Sequence, residues 1–269
     1  MRTLLALTKN TFRETIRDRI LLVIAFFGVI LIFASQLLST ISVRQDEKMI
    51  VDLGLGMIDV FGMIITIFVG TQLIFREIDK KTIFIILSKP VPRWTFLLSK
   101  FFGLGAILFL VTVIMLVVFI GVIAFSTDLI IANNHFIQLD FVGQLVLISS
   151  FSLLSFLLLL GVVIFFSSFM SPILAAFSSL TIFVIGHITD DIRMFAKFSP
   201  YEDISRGYQI FSDVVYYGFP NFSILNLKNF ILNDIFPTSG ELFAAATGAV
   251  LWITLFVTVG TLLFSRREF

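Results

Sequence analysis

Residues 76–100 read REIDKKTIFIILSKPVPRWTFLLSK, and they follow an almost wholly apolar run, Val51–Phe75. Six residues of the block are basic: Arg76, Lys80, Lys81, Lys89, Arg93 and Lys100. Only Glu77 and Asp79 oppose them. Another long apolar run, Thr95–Phe125, takes over before the block ends. A charged, proline-punctuated stretch between two such runs must lie outside hydrocarbon, because isolated charges are costly at the bilayer centre. Its sign gives the side, since cytoplasmic loops carry the Lys/Arg excess. The block is therefore the prime surface for a cytoplasmic partner.

Composition extends this reading to the whole chain. The sequence is 58% hydrophobic with 34 Phe, and only 14% of residues are charged. Soluble domains are about 45–50% apolar and about a quarter charged. A soluble core has no room for this much apolar surface. The net charge of +1 gives no support for nucleic-acid binding. The absence of Cys excludes disulfides, thiolate metal sites and Cys nucleophiles. The first nineteen residues do not read as a cleaved signal, since charge is spread through them and no small-residue cleavage site follows the first apolar run.

A helix needs about 20 apolar residues to cross a bilayer. Six segments are expected to do so: 20–41, 51–75, 95–125, 141–169, 172–188 and 242–264, the fifth short and the third long. The expected fold is an all-α polytopic membrane protein with six transmembrane helices in one domain, 1–269. Orientation follows from Lys and Arg. The N-terminus, the 76–100 block and the tail carry thirteen, and the opposite side carries six: Arg44, Lys48, Arg193, Lys197, Arg206 and Lys228. Both termini are thus expected in the cytoplasm of a prokaryotic cell membrane. Leu4, Thr8, Phe12, Ile16 and Ile20 recur every four residues, with Lys9, Arg13 and Arg17 on another face. That pattern predicts an amphipathic helix in the cytoplasmic interface, against the alternative of a solvated extension of the first span. Region 190–241 is expected to form short amphipathic helices on the external mouth, broken at Tyr216–Pro220.

Chemistry is sparse. No G-x-x-x-x-G-K-[ST] occurs, so this chain has no such phosphate cradle. His135 and His187 are the only histidines, and His187 lies near Asp190 and Asp191. An intramembrane hydrolase would use a histidine with one of many serines, but none sits in a G-x-S-x-G context, and spanning-helix serines usually bond back to their own helix. Two separated histidines make a poor metal site, so no metal ligand is assigned. Asp59 sits inside the second span and must face a bundle interior or water. It is the candidate pathway residue, weighed evenly against a structural polar contact. A secondary transporter driven by an ion gradient is the leading alternative and would rest on Asp59.

Four blocks carry a resemblance. They are Thr11–Leu22 (TFRETIRDRILL), Phe75–Gly103 (FREIDKKTIFIILSKPVPRWTFLLSKFFG), Tyr216–Phe230 (YYGFPNFSILNLKNF) and Phe264–Phe269 (FSRREF). Together they resemble the permease subunits of type-2 ABC transporters, and they are similar to those associated with multi-copper-enzyme maturation. The resemblance implies a six-helix permease, a second permease copy, and cytoplasmic ABC ATPase subunits that hold the ATP and Mg, with no cofactor on this chain. It also implies a coupling helix facing the ATPase. Glu77, Asp79, Lys80, Lys81 and Thr82 match its polar end after Arg76, and Pro90, Arg93 and Lys100 match its exit.

The charge count makes a testable topology. Single cysteines at Ile85 and Glu268 are expected to resist an impermeant thiol reagent in intact cells, and those at Asn133 and Ser212 to label. Labelling of position 268 from outside overturns the orientation.

Overall fold

The computed structural model describes residues 2–39, 46–79, 92–126, 139–198, 206–228 and 237–266. Among them are eight α-helices, one 3₁₀ turn and no strand. The helices are α1 (Arg2–Ile16), α2 (Arg19–Ser39), α3 (Asp46–Asp79), α4 (Arg93–Ser126), α5 (Leu139–Ser167), α6 (Pro172–Phe198), α7 (Arg206–Gly218) and α8 (Ser239–Arg266), with the turn at Ser223–Leu225. A helical fold is what hydrocarbon demands, because a helix satisfies its backbone groups internally.

Among the described residues, five helices are long and apolar enough to cross a membrane: Val51–Arg76, Trp94–Ala124, Phe141–Ser167, Pro172–Phe195 and Ser239–Ser265. The first expected span is helical from Arg19 to Ser39, and within it Leu21–Ala34 is an apolar helix. The fifth is longer than the sequence led us to expect. α6 runs through Asp190 and Asp191 to Phe198, so the region after residue 190 begins as a continuation of the fifth span's helix and not as a separate short helix. No proline or glycine interrupts those residues, and the acidic pair lies on one flank of a continuing helix.

Local signals set the helix ends. Pro172 opens α6 at the position where its missing N–H costs nothing, and Ala175 N–H donates to Ser171 O at 2.9 Å. α8 starts with a capping box: the Glu241 carboxylate accepts from the Thr238 backbone N–H at 2.8 Å.

α5 is the central helix. It touches α3, α4, α6 and α8, and 67% of its span is buried, against 22% for α6 and 11% for α8. Close approach of α3 and α5 depends on Gly62, where any Cβ would collide with the Phe156 ring. At the end of the bundle that carries Arg76, α1 lies along α4 with Thr11 and Thr15 buried. Thr11 fills the space over Gly103 of α4. The buried side of α1 thus includes Thr11 and Thr15 beside the expected Phe12–Ile16 stripe, and Lys9, Arg13 and Arg17 stay exposed. Phe264 of α8 stacks on Phe96 of α4 at 5.8 Å, which closes the same end.

Ser212 is buried against α6. It is the wrong place for an aqueous label, and the neighbouring exposed Asp213 takes over that reporting role.

The α3–α5 seam yields the next expectation. Gly62→Ala destabilises the folded chain by about 1–3 kcal/mol through overpacking, read by denaturant unfolding in detergent. Adding Phe156→Leu recovers part of the loss. An unchanged unfolding midpoint for Gly62→Ala refutes the tight seam.

Candidate functional site

The bundle has two polar ends and an apolar waist. At the Arg76 end, the Arg76 guanidinium pairs with Asp18, the residue at the elbow between α1 and α2. The elbow is a real break: Asp18 N–H donates to Thr15 O at 2.9 Å, and α2 begins at the next residue. The pair ties α1, α2 and the end of α3 into one unit. Sequence reading counted Arg76 among coupling residues and did not single out Asp18.

The rest of the coupling set divides by position. Glu77 and Asp79 lie on the last turn of α3, which continues unbroken from the membrane span. Lys80, Lys81, Thr82 and Pro90 lie outside the described residues. Arg93 is the first residue of α4. Lys100 is only 2% exposed, and its Nζ lies 5.5 Å from the Phe96 ring centroid. The structure therefore holds Lys100 inside the packed end of the bundle.

At the opposite end, the segment after α7 turns back into the protein. α7 stops at Gly218, and Pro220 prevents its continuation. Asn221 Nδ2 donates to Asp190 Oδ1 at 2.9 Å. Phe222 N–H donates to Gly186 O at 3.0 Å. The Phe222 ring is fully buried, 5.1 Å from Phe183 and stacked on His187 at 5.8 Å. Gly186 permits this seat, since a Cβ there would collide with Pro220 O and the Phe222 ring. Leu225 and Leu227 are buried after it. The segment ends with Lys228, whose Nζ sits 2.6 Å from Asp59 Oδ2 on α3.

Asp59 therefore has a cationic partner delivered from 169 residues along the chain (228 minus 59). The pair is partly screened, with side chains 15% and 25% exposed. An unpaired carboxylate in a span costs roughly 2.5–3.5 kcal/mol on insertion scales, and Lys228 offsets that cost. The polar-contact reading of Asp59 gains a named partner. Sequence reading counted Lys228 only as one charge among six. Its arrival at Asp59 depends on the return of the 219–228 segment, which no local pattern encodes.

Beside the ion pair is a small polar chamber of about 20 Å³, lined by Asp59, Ser152, Ser155, His187, Phe222 and Asn226 among others. That is room for about one water molecule. His187 Nδ1 lies 3.2 Å from Phe183 O on its own helix. Ser150, Ser168 and Ser179 bond back to carbonyls of their own helices. Among the described residues no group of three or more His, Asp or Glu is placed to hold a metal ion.

Between the ends, α3 and α6 form an open groove of about 960 Å³. Its walls are apolar and include Met63, Ile67, Phe68, Phe177 and Leu180, with Ile24 of α2 at the edge. Thr71, Gln72 and Arg76 supply its polar end. The groove stops at Met63 and Leu180, about one helical turn short of Asp59 and Phe183, where the seated segment begins.

The sequence matches the family model described as ABC-2 family transporter protein over residues 5–269. No curated protein matches the chain.

The ion pair makes a clear expectation. Asp59→Asn or Lys228→Met lowers stability by about 2 kcal/mol, below the roughly 3–5 kcal/mol lost on breaking a fully buried pair. The charge swap Asp59→Lys with Lys228→Asp restores part of it. A double-mutant cycle on unfolding in detergent measures the coupling, and additive single effects refute the pairing.

Proposed function

Given that the chain belongs to the ABC-2 transporter family and is thus a permease subunit of an ABC transporter, we propose that it is an exporter driven by ATP hydrolysis on a separate cytoplasmic subunit. The observation that carries the reading is a family match over nearly the full sequence in a chain without the phosphate-binding loop of an ATPase. The ABC-2 permease family generally pairs with a cytoplasmic ATP-binding subunit. In our reading the chain is a single permease domain, assembled with a second permease copy and two ATPase subunits. The similarity of the four sequence blocks supports a permease of the multi-copper-enzyme maturation type.

In this proposal six helices span the membrane. α2 is the additional one: its 21 residues extend about 31 Å at about 1.5 Å per residue, the thickness of the hydrocarbon core. Both termini and the 76–100 block face the cytoplasm, on the strength of the Lys/Arg bias. α1 lies in the cytoplasmic interface, with Lys9, Arg13 and Arg17 toward headgroups and its other side on α4. The 76–89 block is the element that couples to the ATPase in this proposal, and beyond Asp79 it lies outside the described residues. Its root is firm, because α3 reaches Asp79 without a break and Arg76 is tied to Asp18. A push on Glu77 or Asp79 from the ATPase is thereby passed to α3 and to the elbow together.

The substrate, in this reading, moves along the α3–α6 groove. The groove begins beside Arg76 and ends at Met63 and Leu180, about one helical turn short of the seat of Phe222. The 219–228 segment closes the outer end, and its ties to α3 through Asp59 and to α6 through Asp190 and Gly186 oppose the separation of those helices. Coupling and outer closure then act on two points of one helix, α3.

The test separates docking from membrane anchoring. A basic anchor is worth about 1 kcal/mol per Lys or Arg near anionic lipid and is indifferent to loss of nearby acids. With the cognate ATPase co-expressed, Glu77→Ala or Asp79→Ala is expected to uncouple ATP hydrolysis from transport while the permease still inserts. The purified permease alone is expected to turn over no ATP. If both acidic substitutions leave transport intact, and Lys80→Ala with Lys81→Ala lowers only membrane yield, the block is an anchor and the ATPase docks elsewhere.

A further inference from the structure

Four segments meet at the small chamber beside the Asp59–Lys228 pair. α3 brings Asp59, α5 brings Ser152 and Ser155, α6 brings His187, and the returning 219–228 segment brings Asn226. Five of the nine lining residues are thus polar, although the core around them is built from apolar side chains. Ser152 and Ser155 stand three residues apart, so they share one face of α5.

The hydrogen bonds around the chamber leave a matched set of groups over. Lys228 takes Asp59 Oδ2, and Oδ1 remains as an acceptor. His187 Nδ1 lies 3.2 Å from Phe183 O. A carbonyl only accepts, so in the neutral ring that nitrogen carries the proton and Nε2 is left as an acceptor. Asn226 Oδ1 accepts from the Lys228 backbone N–H at 3.3 Å, and its Nδ2 remains as a donor. Ser150, Ser168 and Ser179 bond back to carbonyls of their own helices. Ser152 and Ser155 do not follow them, and neither has a hydrogen-bond partner among the described residues.

Polar groups left over in a protein interior are satisfied by water, and a chamber needs only about 10–15 Å³ to hold one molecule that makes 2–4 hydrogen bonds. The chamber offers about 20 Å³. Asp59 and Lys228 neutralise each other, so an ion would bring a charge with nothing to balance it. A neutral ligand with two donors and two acceptors matches the groups present. We propose that the chamber is a binding site for one water molecule, which donates to Asp59 and His187 and accepts from the hydroxyls of Ser152 and Ser155. The water gives α5 a polar tie to α3 and α6, in addition to the apolar packing of Leu225 beside it. It also leaves Asp59 with a donor whenever Lys228 shifts, so the carboxylate is never bare in hydrocarbon. The site holds whatever the direction or cargo of transport.

Under an X-ray beam, ordered water yields hydroxyl radicals in place, and these oxidise the side chains next to it. Mass spectrometry then reads the rate at each residue, normalised to the intrinsic reactivity of its type. The full chain is measured in lipid nanodiscs. His187 and Phe222 report on the chamber. Phe119 is a fully buried control elsewhere in the bundle, and Leu227 is a buried control on the returning segment that does not line the chamber. The expected result is severalfold faster oxidation at 187 and 222 than at 119 and 227. Ser155→Val removes one hydroxyl and fills the chamber, and it is expected to bring 187 and 222 down to the control rates. Ser152→Val serves the same end if the first variant fails to insert. Rates at 187 and 222 as low as that at 119 mean a dry chamber and overturn the proposal. A rate at 227 as high as that at 222 means bulk solvent under an open segment and overturns it too, as do unchanged rates at 187 and 222 in a folded filling variant. Exchange of sodium for choline at fixed ionic strength is expected to leave the unfolding midpoint where it was. A sodium-dependent shift that Ser155→Val abolishes makes the occupant a cation and overturns the assignment to water.

Discussion

A charge drawn into a membrane protein must bring a partner, because hydrocarbon supplies none. In this chain that constraint organises α3 at two points. Asp59, inside the span, meets Lys228, and Arg76, near the C-terminal end of the helix, meets Asp18. Each pair joins segments that are distant in sequence. Lys228 brings a returning segment into the bundle, and Asp18 fixes the elbow of the N-terminal helices. The long apolar span between the pairs is then held at two defined points.

Packing follows from this. α5 occupies the centre because it presents apolar surface to α3, α4, α6 and α8 at once. Small residues set how near its neighbours come, as Gly62 does for Phe156. The larger residues of α6 and α8 are left outward in numbers that would be unstable in water and are ordinary in lipid. The α3–α6 groove lies in the seam between the well-packed centre and this looser rim.

Much of this was legible in the sequence. Apolar runs long enough to span a bilayer are a one-dimensional property, and they located α3, α4, α5, α6 and α8 to within a few residues, apart from the far end of α6. The helix break expected within Tyr216–Pro220, observed after Gly218, was readable for the same reason. The acidic pair at 190–191 made the reading of α6 end too early, because charge marks the end of a span while the helix itself continues to Phe198. What no local pattern contained was pairing across distance. Asp59 was recognisable as a residue in need of company, but nothing near it in the chain identified Lys228. Phe222 was recognisable as too apolar for water, but its seat exists only because Gly186 lacks a side chain on a helix some 36 residues earlier (222 minus 186). Spans are determined by the solvent that each segment must meet, and that information is local. Partners are determined by which segments the packed bundle brings together, and only the tertiary structure contains that.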